Sequence, residues 1–430
     1  MKPCVAIASI AMAALCPAAA RAQNAPPAAV ARPDALTLDA FLARVARGNL
    51  ELAAERMNVP IARAQIAAAR AFPDPTLTVG ANSVDVSGVG AQNAVGASVT
   101  VPIEFPGRRG ARVDVAERAR AVAEAELEDF LRRLRGSAAN AFIDVLLARR
   151  VLDRHRQTLA NLERLVAANE ERLRIGDVGQ LAVVQSRVEA ERFRAEVLGL
   201  EGELRATTLA LQSHVARGEP VGEPSGDLAV ATRAFDVRTL LTAAQVNRPD
   251  LRARRLELDV ARARVELAQA NRGVDVALNL GWQHNFVGAQ GSAFQAPAYE
   301  TVGVSLTVPI PVSRIYRGEL DAAYTGVAQA EARLRATALA VEVELRRALA
   351  RYEAAVSQLA LYTGSLLHDA EQALAATLYN YQRGGATLLE VLNAQRTVND
   401  VNVEFANALA RHARALIDVW LASGSWEGGL

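Results

Sequence analysis

Cysteine is almost missing from this 430-residue chain: Cys4 and Cys16 are the only two, and both fall in the first twenty residues. Nothing downstream can rest on a disulfide framework. The five histidines, His155, His214, His284, His368 and His412, are scattered, with no cysteine or carboxylate at ligand spacing, so no metal site is assigned. Aromatic residues make up 5% of the chain while hydrophobic residues make up 51%. The apolar content is therefore mostly Ala, Val and Leu, the residues of closely packed helices. Neither charge sign dominates, with 48 Lys+Arg against 47 Asp+Glu. That removes the basic excess of a nucleic-acid binder and the strong charge of a disordered chain. Beyond the first twenty residues no apolar run reaches the roughly 18 residues of a spanning helix. No Ser/His/Asp arrangement or phosphate loop stands out, so no catalytic residue and no cofactor is assigned. Length alone suggests two or three globular domains.

What is present begins with an address. Lys2, an apolar run from Val5 to Leu15, and Ala20-Arg21-Ala22 form the basic start, apolar centre and A-x-A site of a secretory signal peptide, residues 1–22. Leu15 stands before Cys16 where a lipoprotein signal needs a small residue. The mature chain would begin at Gln23 with a Pro/Ala-rich lead-in, residues 23–35, and carry no cysteine.

The rest is written twice. Ser98-Val99-Thr100-Val101-Pro102-Ile103 returns 207 positions on as Ser305-Leu306-Thr307-Val308-Pro309-Ile310, and Ala123-Glu124-Ala125 returns as Ala330-Glu331-Ala332. Arg174-Ile175-Gly176 pairs with Gln382-Arg383-Gly384 at 208, and Ala62-Arg63 with Ala263-Arg264 at 201. The first repeat covers 36–215, with strands near 76–86 and 93–103 and a long helix near 107–175. A Pro/Gly-rich equatorial linker, 216–235, leads to the second repeat at 236–422. Its strands lie near 274–286 and 299–310, its long helix near 314–382, and a tail, 423–430, follows.

The long helices carry the strongest pattern. Steps of four and three from Leu127 reach Leu131, Leu134, Ala138, Ala141, Val145, Ala148, Leu152, His155, Leu159, Leu162, Val166, Asn169 and Leu173. The second copy gives Leu334, Ala338, Val341, Leu345, Ala348, Tyr352, Ala355, Leu359, Tyr362, Leu366, Asp369, Ala373, Ala376 and Asn380. A 3.5-residue period held this long is a coiled-coil seam, in which lone polar residues such as His155, Asn169, Asp369 and Asn380 set register. A helix of about 65 residues is about 100 Å long, which no compact domain of this size contains.

The segments between the helices alternate with period two. Val276, Leu278, Leu280 and Trp282 alternate with Ala277, Asn279, Gly281 and Gln283; Val302, Val304, Leu306 and Val308 alternate with Gly303, Ser305 and Thr307. Runs of about ten residues suit tilted membrane strands, and equally a soluble antiparallel sheet with one wet face. Export and the lack of spanning helices favour the membrane. Four strands cannot close a barrel, since the smallest need about eight, and an open edge is not tolerated in lipid. Such a chain must therefore oligomerise, and three copies with twelve strands leave an open pore.

The export signal, the duplicated helix–hairpin–long helix–turn–helix order and Val-Pro-Ile at each strand end resemble the TolC-type outer-membrane efflux proteins. Pro106-Gly107-Arg108-Arg109 and the segment from Thr387 to Arg396 are similar to the heavy-metal, cobalt-zinc-cadmium branch. The resemblance implies an α+β membrane protein. It would be a homotrimer with a twelve-stranded barrel in outer-membrane lipid, continued by a coiled-coil helical tunnel through the periplasm. It implies partners, a periplasmic adaptor and an inner-membrane pump, and a passive exit duct for metal cations, drugs or secreted protein. It places a gate at Tyr381, Arg383, Glu390 and Asn393, where three Glu390 carboxylates would form a ring, repel, raise one another's pKa and attract cations. Arg383 would pair across a subunit contact. Tip turns for adaptor docking fall at Gly176, Gly179, Gly384 and Gly385, and strand-to-helix junctions at Pro102, Pro106, Pro309 and Pro311. Ala182 stands where the family often has an acid. Arg108, Arg109 and Arg112 either line the tunnel mouth or face lipid headgroups. Trp282 and Phe286 are either interface anchors or lipid-facing bulk. The competing readings are an exported coiled-coil surface protein, which leaves the duplicated hairpins without a role, and a periplasmic enzyme.

Overall fold

The computed structural model describes residues 36–86, 90–215, 222–286, 297–310 and 317–426. The expected signal peptide and lead-in, the start of the linker (216–221), Pro311 and the last four residues lie outside the described residues. The first half runs α1 (Leu38–Gly48), α2 (Leu50–Arg56), α3 (Asn58–Arg70), β1 (Thr76–Val86), β2 (Gly90–Ile103), α4 (Arg108–Arg174) and α5 (Gln180–Gln212). The second runs α6 (Val237–Asn247), α7 (Pro249–Ala270), β3 (Val276–Asn285), β4 (Tyr299–Thr307), α8 (Arg317–Leu361), a π turn (Tyr362–Leu366), α9 (Leu367–Gln382) and α10 (Leu388–Ser423).

The four strands form one antiparallel sheet in the order β1-β2-β3-β4, so the central β2–β3 pairing joins the two repeats. Register gathers the large aliphatic side chains of the middle rows on one face. Leu77, Val99, Leu280 and Val304 share one row across the sheet, and Val79, Ala97, Trp282 and Val302 share the next. This face is bare: Val79 is 74% exposed and Val302 is 77% exposed. At its upper end Trp282 Nε1 donates to Glu300 at 3.4 Å, and His284 meets Phe286 edge-on at 4.8 Å. The opposite face carries mainly Thr, Ser, Asn, Gln and Gly, with Ala94, Pro102, Ala277 and Tyr299 among them. Asn279 links Thr100 (2.6 Å) to Thr307 (2.8 Å) along it, and Asn285 accepts from Gln283 (2.7 Å) and donates to Thr301 (3.3 Å). Pro102 sits inside β2 opposite Ala277, whereas β4 ends at Thr307, before Pro309.

α4 is a single helix of 67 residues, about 100 Å at about 1.5 Å per residue. Its seam is buried at Leu134, Ala138, Val145, Leu152, His155, Leu162 and Asn169. The matching stretch of the second copy is not one α-helix. α8 buries Val341, Leu345, Ala348, Tyr352, Ala355 and Leu359, and then the π turn intervenes. A π turn bonds i to i+5 and so takes in one more residue than an α turn. Beyond it the inward positions move one residue on, to Leu367, Ala370, Leu374, Thr377 and the buried Tyr381. Asp369 and Asn380, expected on the seam, are exposed for that reason.

The core lies where both repeats meet the C-terminal half of α10, which buries Ala408, Leu409, Ala413, Leu416, Ile417, Val419 and Trp420. α10 continues through Ser423, and Trp426 packs on Trp420 at 5.6 Å, so the expected tail begins as core. In the linker, Leu36 pairs with residues 223–225, and Phe235 packs edge-on against Tyr352 at 5.1 Å. Arg248, 3% exposed, holds Asp250 (2.7 Å), Glu344 (2.8 Å) and the Ala422 carbonyl (3.1 Å). It ties the start of α7 to α8 and to the end of α10.

Candidate functional site at the helical tip

Both long helical runs end in the same backbone device. Gly176 (φ 79°) follows α4 and Gly384 (φ 78°) follows α9. Gly176 N–H donates to Leu173 O at 3.0 Å and Asp177 N–H to Arg172 O at 2.8 Å; Gly384 N–H donates to Tyr381 O at 3.1 Å and Gly385 N–H to Asn380 O at 2.8 Å. These are two Schellman turns, and each requires a left-handed residue that only glycine adopts without strain. Gly179 and Gly385 have no such demand: Gly179 caps α5 at φ −83° with open space where a Cβ would point, and a Cβ at Gly385 would make ordinary contact.

Tyr381 ends α9 and is 6% exposed. Its hydroxyl donates to Asn169 Oδ1 on α4 at 2.8 Å, and the Arg172 guanidinium lies 4.8 Å from its ring centre. Arg172 in turn donates to Asp177 in the first turn at 2.6 Å. Burial pushes the Tyr381 phenol above its ordinary value, opposed by Arg172 and by the Asn169 hydrogen bond, so it remains a donor. Around it pack Leu162, Phe193, Leu388, Val391 and Leu392. Two further links join the hairpins. Arg396 on α10 grips Glu189 on α5 with two bonds of 2.8 and 2.6 Å, and Thr158 donates to Asn399 at 3.3 Å. The Arg396 hydrogen bonds hold the Glu189 carboxyl below its ordinary value.

Glu390 is exposed and has a local partner. Its Oε2 accepts from Thr387 N–H (2.6 Å) and Thr387 Oγ1 (2.9 Å), while Glu390 N–H donates to Thr387 Oγ1 at 3.3 Å. This is a capping box at the start of α10, the Thr-x-x-Glu spacing that satisfies orphan helix donors reciprocally. The Thr387 backbone N–H is the main reason its carboxyl lies below the ordinary value. This value belongs to the single chain; the raising expected of three carboxylates in a ring belongs to an assembly. In the first repeat Gly179 and Ala182 occupy the matching places, and α5 has no side-chain cap. Asn393 is exposed one turn beyond Glu390. Arg383 lies 4.1 Å over the Tyr379 ring of its own helix.

Sequence reading placed Asn169 as a register residue and overlooked Arg172, Asp177, Glu189 and Arg396 as tip residues. Their partners are far apart in the chain and share no motif. The Thr387–Glu390 spacing was the one available signal for the cap.

At the sheet end, the arginines serve the backbone. Pro106 and the left-handed Gly107 turn the chain from β2 into α4. Arg108 bonds Asp275 and the carbonyls of Asn271 (3.2 Å) and Gly273 (2.6 Å) after α7. Arg109 and Arg112 donate to the carbonyls of Arg70 (2.7 Å) and Ala69 (3.0 Å) at the end of α3. These are cations on helix C-termini, where orphan carbonyls and the dipole favour them. Among the described residues, no three His, Cys, Asp or Glu side chains gather as a metal site, and no helix is long and apolar enough to cross a membrane.

The outer membrane efflux protein family model matches the chain twice, over residues 42–217 and 240–425. The cobalt-zinc-cadmium resistance protein CzcC of Cupriavidus metallidurans is 27% identical over 385 residues, covering 88% of each chain. The pyoverdine export outer membrane protein OpmQ of Pseudomonas aeruginosa is 26% identical over 418 residues, covering 91% of this chain and 85% of that one. Among solved structures, CusC superimposes with a TM-score of 0.73 at 19% identity, covering 92% of this chain and 94% of that one. VceC of Vibrio cholerae gives 0.70 at 22%, covering 90% and 96%. The duplicated fold and the two-fold family match agree: this chain belongs to the outer membrane efflux protein family and is an efflux channel of the outer membrane.

Proposed function

We propose that three copies of the chain form a passive exit duct, with the sheets closed into a twelve-stranded barrel and the helices continued as a tunnel through the periplasm. The observation that carries this is the sheet. One face is apolar and exposed, the other is a hydroxyl and amide surface, and β1 and β4 each have a single neighbour. Unpaired edges are excluded from hydrocarbon, so the edges of neighbouring copies must meet, with the polar face toward a water-filled lumen. The aromatic cluster at Trp282, His284 and Phe286 fits the interface belt of such a barrel.

The tip is the gate. Tyr381, held on Asn169 and Arg172, latches the α9–α10 hairpin to the α4–α5 hairpin, and Glu390 and Asn393 of three copies ring the opening. The exposed Gly176–Gly179 and Gly384–Gly385 turns are the surface for a periplasmic adaptor, which couples the duct to an inner-membrane pump. Metal cations are the cargo, a reading supported by the likeness to CzcC and by Pro106-Gly107-Arg108-Arg109. The likeness to OpmQ favours a second reading, a small organic cargo.

Deletion of the gene in its host, with resistance to cobalt, zinc and cadmium measured beside export of organic chelators, tests the cargo. Loss of metal resistance alone supports the first reading, and loss of chelator export alone the second. A heat-sensitive trimer in the outer-membrane fraction tests the assembly, and a monomer there overturns it.

A further inference from the structure

The two repeats are offset by 207 positions at Ala123 and Ala330 but by 208 at Gly176 and Gly384. The second copy thus holds one extra residue between these points, and the π turn at Tyr362–Leu366 is where the helix absorbs it. Without the wider turn the extra residue would rotate everything beyond it by about 100°. Tyr381 would then leave Asn169. The first copy at the same level is straight α-helix, with His155 and Thr158 buried.

The turn reads Tyr-Thr-Gly-Ser-Leu, with poor helix formers at its centre. Thr363 Oγ1 bonds back to the carbonyls of Leu359 (3.2 Å) and Ala360 (3.4 Å), a pattern that bends helices. Gly364 has no positive φ, and nothing lies within 4 Å of where its Cβ would be. Neither backbone strain nor crowding requires a glycine there. What glycine adds at that place is a soft backbone. Beyond the turn, α9 buries one residue, Tyr381 at its far end. A soft point, an arm that buries one residue within its own chain and a terminal catch therefore follow one another.

We propose that the π turn at Tyr362–Leu366 is the hinge on which α9 swings when the tip opens, with Tyr381 on Asn169 as its catch. The inference rests on the gate reading above.

The full-length trimer in planar bilayers tests both. Tyr381→Phe removes the hydroxyl that donates to Asn169, and the gate reading expects conductance several-fold above wild type. Deleting Gly364 restores an uninterrupted α-helix with the seam unshifted. In the Tyr381→Phe background this deletion is expected to bring conductance back near the wild-type level, because the released arm has no place to bend. Gly364→Ala enters open space and is expected to act in the same direction more weakly; it carries the test if the deletion variant does not assemble. Undiminished conductance in both double variants overturns the hinge and leaves the gate standing. Tyr381→Phe without effect overturns the gate, and the hinge with it.

Discussion

Glu390 has one role seen in the structure and one that the gate reading adds, and a pair of substitutions can separate them. Its carboxylate completes the cap of α10 with Thr387, and in a trimer it would ring the tip. Glutamine keeps the capping geometry and drops the charge. Glu390→Gln is expected to lower cation preference, read as a shifted reversal potential in a salt gradient, with the tip still closed. Glu390→Ala loses both and is expected to raise conductance as well. Equal behaviour of the two variants would remove the cap from the gate. A second residue, His412, is fully buried against Tyr352, 5.3 Å between rings, with both ring nitrogens unpartnered. Burial holds its pKa below the ordinary 6.5. The unfolded chain takes up the proton first, so stability falls as pH drops below about 6.5. His412→Leu also removes two buried unsatisfied groups. It is expected to raise the melting temperature more at pH 5 than at pH 8, by an amount corresponding to about 1–3 kcal/mol at the acid end. An equal shift at both pH values would show that the imidazole does not titrate.

At the scale of elements, the tip turns separate glycines that the backbone needs from glycines it does not. Gly176→Ala and Gly384→Ala place a Cβ at positive φ and should each cost about 1 kcal/mol. Gly179→Ala and Gly385→Ala should cost little. Limited proteolysis at the tip reads the difference, and equal sensitivity in all four would refute it. Gly-containing turns were legible in the sequence; the Schellman bonds that distinguish Gly176 from Gly179 were not. The seam was legible wherever the helix is continuous, from Leu134 to Asn169 and from Val341 to Leu359. It failed at Leu366, Asp369, Ala373, Ala376 and Asn380, all exposed, because a heptad count has no means of seeing a π turn. The change of offset from 207 to 208 was the trace of that turn.

For the whole molecule the proposed barrel turns on which face of the sheet meets lipid. Val304 and Ser305 are neighbours in the middle of β4 and point to opposite faces. Val304→Arg is expected to reduce the folded trimer in outer membranes, since arginine near the midplane of a lipid face costs about 2–4 kcal/mol. In the proposed barrel Ser305→Arg would face the lumen, and it should leave the trimer intact while shifting conductance. The opposite pattern would reverse the barrel. The small aromatic content also finds a cause at this scale. Long helices pack on Ala, Leu and Val, while the larger rings concentrate in the central core, at Phe41, Phe142, Tyr352 and Trp420, and at the sheet rim.

The linear sequence by itself determined the duplication, the two periods and hence the element order, because periodicity is a local property that side-chain alternation writes into the chain. It also marked Tyr381, Glu390 and the tip glycines by resemblance. Only the tertiary structure decided what those residues touch. Tyr381 meets Asn169 across 212 positions and Arg396 meets Glu189 across 207, and no local rule links such partners. The arginines after β2, whose helix phase left lumen and lipid equally open, turned out to close the ends of α3 and α7, because the helix termini that need them are brought there only by folding.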